Sequence, residues 1–185
     1  MGAGRSPTHD VSVEPTVVVR PRRPEDAEAF IDLFEAVAAE GKWLGREAPF
    51  SDDSKERIRE STVAQPEGTA TYVAETDSRL VGFVWVGFDG HGRVDLGMAV
   101  ADGWRGRGVG SLLLEQAVAW AKEQGAHKIS LEVWPHNTGA QRLYEKFGFV
   151  TEGRLLRHWR RANGELWDSI PMGLVLDETA PGSPY

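Results

Sequence analysis

Arg105–Gly106–Arg107–Gly108–Val109–Gly110–Ser111 joins an expected central strand, Val94–Val100, to a stretch of helical periodicity from about Gly108 to Gln124. Glycines at 106, 108 and 110 let the backbone turn tightly and point several N–H groups at one place. With the dipole of the helix that follows, those donors make a site for a phosphate or pyrophosphate. Arg105 and Arg107 add positive charge there. Two nucleotide-binding patterns fit poorly. A Walker A loop needs a lysine before its Ser/Thr, and this loop has none. A dinucleotide fingerprint needs a third glycine where Ser111 stands, and Glu132 is too distant, and inside a strand, to serve as its acidic partner.

Outward from the loop, strands and helices alternate. Val17–Arg20 reads as a short strand. Pro24 opens a helix whose apolar positions Ala27, Phe30, Ile31, Phe34 and Val37 share one face, and Gly41 stops it. Lys42–Phe50 is irregular. Asp53 and Glu56 fit a capping box for a polar helix reaching about Val63. Thr69–Thr76 and Leu80–Phe88 read as strands joined at Asp77–Ser78–Arg79, and Asp89–Gly92 turns into Val94–Val100. In the long helix Val109, Leu112, Leu113, Gln116 and Trp120 form the expected stripe, with Gly125 as its stop. Lys128–Trp134 is a further strand, Thr138–Phe147 a short helix ended by Gly148, and Phe149–Trp159 and Leu166–Val175 are strands linked through Asn163–Gly164. Hairpin-linked strands around a strand–helix–strand unit predict a mixed α/β sheet, with Val94–Val100 and Lys128–Trp134 parallel.

The chain has 185 residues, 41% of them hydrophobic, with 28 acidic against 21 basic side chains and a formal charge of −7. That length suits one domain, expected over 16–176, with tails at 1–15 and 177–185. The absence of cysteine excludes disulfides, cysteine metal sites and a cysteine acyl-enzyme. The acidic balance argues against broad binding of nucleic acid or an anionic membrane. Without an apolar run of membrane-spanning length or a signal-peptide core, a soluble cytoplasmic protein is expected.

Three ordered motifs carry a family resemblance. Arg105-x-x-Gly108-x-Gly110 resembles the Q/R-x-x-G-x-G/A signature of the GCN5-related N-acetyltransferases (GNAT). Leu96–Val100 resembles that family's pantetheine-binding strand. Asn137 to Phe149 resembles its N-x-x-A-x-x-L-Y-x-x-x-G-F motif. The likeness spans about Val17 to Leu176. Its last third is most similar to ribosomal-protein, polyamine and phosphinothricin-type acetyltransferases.

The resemblance implies a mostly antiparallel sheet with flanking helices and a parallel pair splayed at the cofactor site. It implies acetyl-CoA as cosubstrate, no metal, a primary amine or protein N-terminus as acceptor, and a homodimer by family habit. The backbone of Met98, Ala99 and Val100 would pair with pantetheine, and Arg105, Gly106, Arg107, Gly108, Val109, Gly110 and Ser111 would hold the pyrophosphate. Gly97 marks a bulge or a close approach. Tyr144 would protonate the leaving thiolate; core packing is its ordinary reading. Asn137 serves as cofactor ligand, N-cap, or both. The general base is Glu132, at the spacing of the ribosomal-protein enzymes, or Asp95, as in the phosphinothricin type. Trp43, Leu44 and Phe50 border the acceptor pocket or lid the core. His127 and His136 flank strand ends. Arg157–Arg161 reads as a solvated strand end, with an anionic acceptor or a dimer partner as the sharper alternative. The rival functions are a non-catalytic acyl-CoA sensor and a nucleotide-binding domain.

Overall fold

The computed structural model describes residues 15–77, 79–177 and 179. Most of both expected tails, and Ser78 of the hairpin link, lie outside the described residues. The elements in chain order are β1 (Val18–Pro21), a 3₁₀ turn (Pro24–Asp26), α1 (Ala27–Ala39), α2 (Asp52–Val63), β2 (Thr69–Thr76), β3 (Arg79–Phe88) and β4 (Arg93–Val100). They continue through α3 (Val109–Glu123), β5 (Lys128–Val133), α4 (Thr138–Lys146), β6 (Val150–Thr151), β7 (Leu155–Arg160) and β8 (Leu166–Val175).

The expected mixed α/β sheet is present. Its order is β1-β2-β3-β4-β5-β8-β6, with β7 also on β8. Every pairing is antiparallel except β4–β5. That parallel pair holds for only three positions, Arg93↔Lys128, Val94↔Ile129 and Asp95↔Ser130, and the strands then part.

Two apolar layers sandwich the sheet. Val84, Val86, Val94, Leu96 and Ile129 pack with α3 residues, whereas Val73, Phe83 and Ala99 pack with Phe30, Ile31 and Val37 of α1. Because side chains alternate along a strand, Asp95 and Gly97 share the α1/α2 face with Ala99. On β5, Ile129, Leu131 and Val133 belong to the α3 layer, so Ser130 and Glu132 take the opposite face. Glycines stop three helices as expected, with φ of +68° at Gly41, +71° at Gly125 and +90° at Gly148.

Three local expectations change. The N-cap of α2 is Ser51, whose Oγ accepts from Ser54 N at 3.3 Å, and not Asp53. Asp52 and Asp53 fall in the first turn, where the dipole favours negative charge. On α3 the buried set is Val109, Leu113, Leu114, Ala117, Trp120 and Ala121, leaving Leu112 exposed. Three successive leucines leave the helical phase open, and the small Ala117 and Ala121 against the sheet decide it. The expected strand Phe149–Trp159 divides into β6 and β7. Pro171 of β8 accepts from Glu152 N through its carbonyl at 2.9 Å but has no N–H to return a bond, so the ladder lapses there.

Candidate functional site

The parting of β4 and β5 opens a cleft of about 1220 Å³. It is bordered by the glycine loop, the start of α4 and the α1–α2 loop. Ala101 N donates to Val81 O at 2.9 Å, and β3–β4 keep register from Gly82↔Val100 to Phe88↔Val94. Alternation therefore turns the N–H and C=O of Ala99 towards β3, and those of Met98 and Val100 towards the opening. Met98, and Val100 through its N–H, can pair with a strand-like ligand, while Val100 O accepts from Arg105 and the Ala99 backbone is committed to β3. Gly97 pairs regularly with Trp85, so there is no bulge at that point. A Cβ on Gly97 would meet nothing within 4 Å, so none of the described residues approaches closely there either.

Gly103, Gly106 and Gly108 all take positive φ, and Gly108 (+84°) is the N-cap of α3. Among the described residues the backbone N–H groups of Gly106 to Gly110 have no acceptor; the first return bonds run from Ser111 N and Leu112 N to Gly108 O. Five free donors at the N-terminus of a 15-residue helix suit the pyrophosphate expected there. Val109 is buried in the α3 layer, and neither it nor Arg107 lines the cleft, whereas Arg105, Gly106, Gly108, Gly110 and Ser111 do. Gly110 serves packing as well, since a Cβ would lie 2.9 Å from Leu143 Cδ2 of α4.

Arg105 does not point its charge at this cradle. Its Nε donates to Val100 O at 3.0 Å, its Nη1 and Nη2 both reach the Glu40 carboxylate, and its guanidinium lies 5.2 Å from the Trp43 ring. Glu40 also accepts from Trp43 Nε1. The Arg105 guanidinium holds the Glu40 carboxyl below its usual range. Arg107 is exposed and lies over Trp104, 5.5 Å from the ring centroid.

Tyr144 lines the cleft from α4 with only 6% exposure and packs 5.6 Å from Phe149. Burial pushes its phenol up to about 12, with no hydrogen bond opposing the shift. Asn137 caps α4, its Oδ1 accepting from Ala140 N at 3.2 Å, and borders the same cleft. Glu132 and Asp95 line it from the face opposite α3. Glu132 accepts from Trp159 Nε1 at 2.9 Å, and His158 Nε2 stands 4.0 Å from its other oxygen. Asp95 is 3.6 Å from the Arg93 guanidinium.

Trp43 and Leu44 border the cleft; Phe50 does not. Phe50 is buried in the α1 layer, 4.9 Å from the Phe34 ring, so it lids the core and is not a wall of the site. The basic cluster also divides. Arg157, His158 and Arg160 are exposed, but Arg161 is 4% exposed. Its Nη1 donates to Leu44 O and Gly45 O, its Nη2 faces Glu47 at 3.2 Å, and it stacks on Trp167. Arg161 thus fastens the α1–α2 loop to β7–β8. His136 adds a second tie at 2.8 Å to Lys42 O, and His127 is exposed at the start of β5. No cluster of three or more metal-ligating side chains occurs among the described residues. No helix there is long and apolar enough to cross a membrane.

Comparison with known proteins bears on this arrangement. Residues 32–149 match the acetyltransferase (GNAT) family. The chain belongs to that family. It is therefore an acetyl-CoA-dependent N-acetyltransferase, as the three motifs imply. It is 33% identical over 108 residues to the putative [ribosomal protein bS18]-alanine N-acetyltransferase of Bacillus subtilis, covering 57% of this chain and 68% of that one. It is 30% identical over 155 residues to streptothricin acetyltransferase of Streptomyces lavendulae, covering 73% and 82%. A GNAT-family acetyltransferase structure from Streptococcus pneumoniae superposes with a TM-score of 0.75 at 25% identity, covering 87% of this chain and all of that one.

Proposed function

We propose that the protein transfers the acetyl group of acetyl-CoA to a primary amine by direct attack in a ternary complex. The observation carrying this reading is the convergence, in one cleft, of a free strand edge, an anion cradle, a buried phenol and two carboxylates. The free edge at Met98 and Val100 aligns pantetheine, and the N–H groups of Gly106 to Gly110 take the pyrophosphate. Arg107 adds positive field, while Arg105 fixes the loop against β4 and α1. Ser111 and Asn137 complete the rim, Asn137 through the amide nitrogen left free by its capping bond.

Acetyl-CoA supplies the activated acyl group. The Met98 N–H, turned to the opening, polarises the thioester carbonyl. Glu132 or Asp95 takes the proton of the amine, directly or through water, before the C–N bond forms. Tyr144 keeps its proton at neutral pH because its site is apolar, and gives it to the sulfur as the C–S bond breaks. Trp43 and Leu44 border the acceptor. No cysteine is available for a covalent relay. A cytoplasmic homodimer acting on a small amine or a protein N-terminus is the biological setting we infer from the family.

Tyr144→Phe tests the assignment. Turnover should fall by about 10²–10⁴-fold while affinity for acetyl-CoA stays within about twofold. Unchanged turnover would remove Tyr144 from the chemistry.

A further inference from the structure

A second cavity, of about 370 Å³, lies between the α1/α2 layer and the sheet face bearing Thr71, Phe83, Trp85 and Gly97. It shares Leu44, Gly97 and Met98 with the large cleft, so the two meet where β4 parts from β5. Four aromatic side chains, Phe30, Phe34, Phe83 and Trp85, line it, and no acidic residue does. Two arginines do, Arg22 and Arg46.

Arg22 is distinctive. Six arginines in the described residues are buried or half-buried: 20, 22, 59, 93, 105 and 161. Five of them have a carboxylate within salt-bridge distance. Arg22 has none among the described residues. Its Nη2 donates to Ser61 O at 2.9 Å and Ser61 Oγ at 3.3 Å and its guanidinium rests 4.6 Å from the Phe30 centroid, while Nε and Nη1 have no hydrogen-bond partner among the described residues. Burial pushes this guanidinium below its ordinary value, and the nearby Asp26 charge only partly offsets it, the opposite of Arg20, which bonds Asp26 and Glu75 directly. Arg46, over Phe34 and Phe50 at 5.6 and 5.3 Å, is likewise without an ion pair among the described residues. Arg46 is exposed, but Arg22 is half-buried, and a partly desolvated cation without an ion pair is costly, a cost that an anionic ligand group relieves.

We infer that this cavity is an acceptor subsite for amines that carry an anionic group on an apolar body, with Arg22 and Arg46 receiving the anion. The inference rests on the acetyltransferase reading and narrows its acceptor class. Thr71, Trp85 and Gly97 are cross-strand partners in a row, about 10 Å from first to last at ordinary strand spacing. Arg22 N bonds to Thr71 O at the far end, so its guanidinium reaches the anion at a distance from the amine. The anionic group therefore sits several bonds from the nitrogen that reacts. The net acidic charge would by itself favour cationic amines; the local field of this cavity points the other way.

The test uses matched compounds. Binding of 4-phenylbutyrate, 4-phenylbutyl phosphate and 4-phenylbutylamine to the whole protein is measured by calorimetry, a readout that needs no turnover. Either or both anions should bind at least about tenfold tighter than the amine, and the difference between them identifies carboxylate or phosphoryl recognition. Arg22→Gln should remove most of that preference, and Arg22→Lys should restore part of it. Equal binding of anion and amine to the wild type, or no binding of any of the three, overturns the inference without recourse to a variant. An undiminished anion preference in a folded Arg22→Gln protein overturns the role of Arg22. Absence of acetyl-CoA-dependent turnover would count against the acetyltransferase reading and leave these binding results standing.

Discussion

The Arg105–Glu40 pair separates two roles for the first residue of the glycine-loop motif. If Arg105 is a phosphate ligand, removing Glu40 frees it and acetyl-CoA binds more tightly. If it is a latch, removing Glu40 loosens the loop. The side chains are 32% and 28% exposed, so the pair lies between an exposed bridge and a buried one. Exposed bridges contribute below about 1 kcal/mol and breaking buried ones costs about 3–5 kcal/mol, so about 2 kcal/mol is the expected loss for Glu40→Gln. For a chain of this size that is a fall of about 4–8 °C in Tm. The Glu40 carboxyl is held down mainly by the Arg105 hydrogen bonds. Its contribution is thus present above its unfolded value and lost as pH falls through the lower folded value. The acid limb of the stability curve should flatten in Glu40→Gln and in Arg105→Ala alike. Thermal unfolding from pH 7 to pH 3, with the double variant completing a cycle, measures the coupling, and KM for acetyl-CoA should rise in both single variants. Additive single effects in the double variant, or a lower KM in Glu40→Gln, would refute the latch.

Other outcomes follow from single contacts. Above pH 10 the unfolded chain releases the Tyr144 proton while the folded chain holds it to about 12, so stability should fall by roughly 3 kcal/mol across that window. Tyr144→Phe should abolish that fall in denaturant titrations at high pH. Gly108→Ala forces a side chain at φ +84° and should cost about 1–2 kcal/mol, with weaker acetyl-CoA binding read by calorimetry. Asn137→Ala removes the α4 cap, costing about 1 kcal/mol in urea unfolding. Trp159→Phe deletes the hydrogen bond that orients Glu132 through Oε2; if Glu132 is the base, steady-state kinetics should show a lower kcat with KM for acetyl-CoA unchanged.

What the sequence made legible was local or periodic. Strand alternation fixed β2 and β8 to the residue, and Gly41, Gly125 and Gly148 marked helix ends because each needs a left-handed backbone. The glycine loop was readable because its function is carried by backbone, with side chains absent. Long-range polar pairing was not. Glu40 lies 65 positions from Arg105, and Leu44 lies 117 from Arg161, so neither latch has a local signature. In sequence Arg161 reads as part of a solvated basic run; in the fold it lies over the indoles of Trp134 and Trp167. Phe50 shows the same limit from the apolar side: composition placed it in a loop, but only packing against Phe34 told core from cleft. Nothing in the sequence Arg20–Arg23 singles out Arg22, since what distinguishes it is burial without an ion pair among the described residues.

The central claim is that the cleft transfers an acetyl group to an amine. Acetyl-CoA-dependent release of free thiol across a panel of amines tests it most directly, because a chain without cysteine adds no thiol of its own. The account predicts release that depends on an amine acceptor, with the acetylated amine formed in equal amount. Tight binding of acetyl-CoA with no thiol released by any small amine or peptide N-terminus would contradict it, and would favour an acyl-CoA sensor.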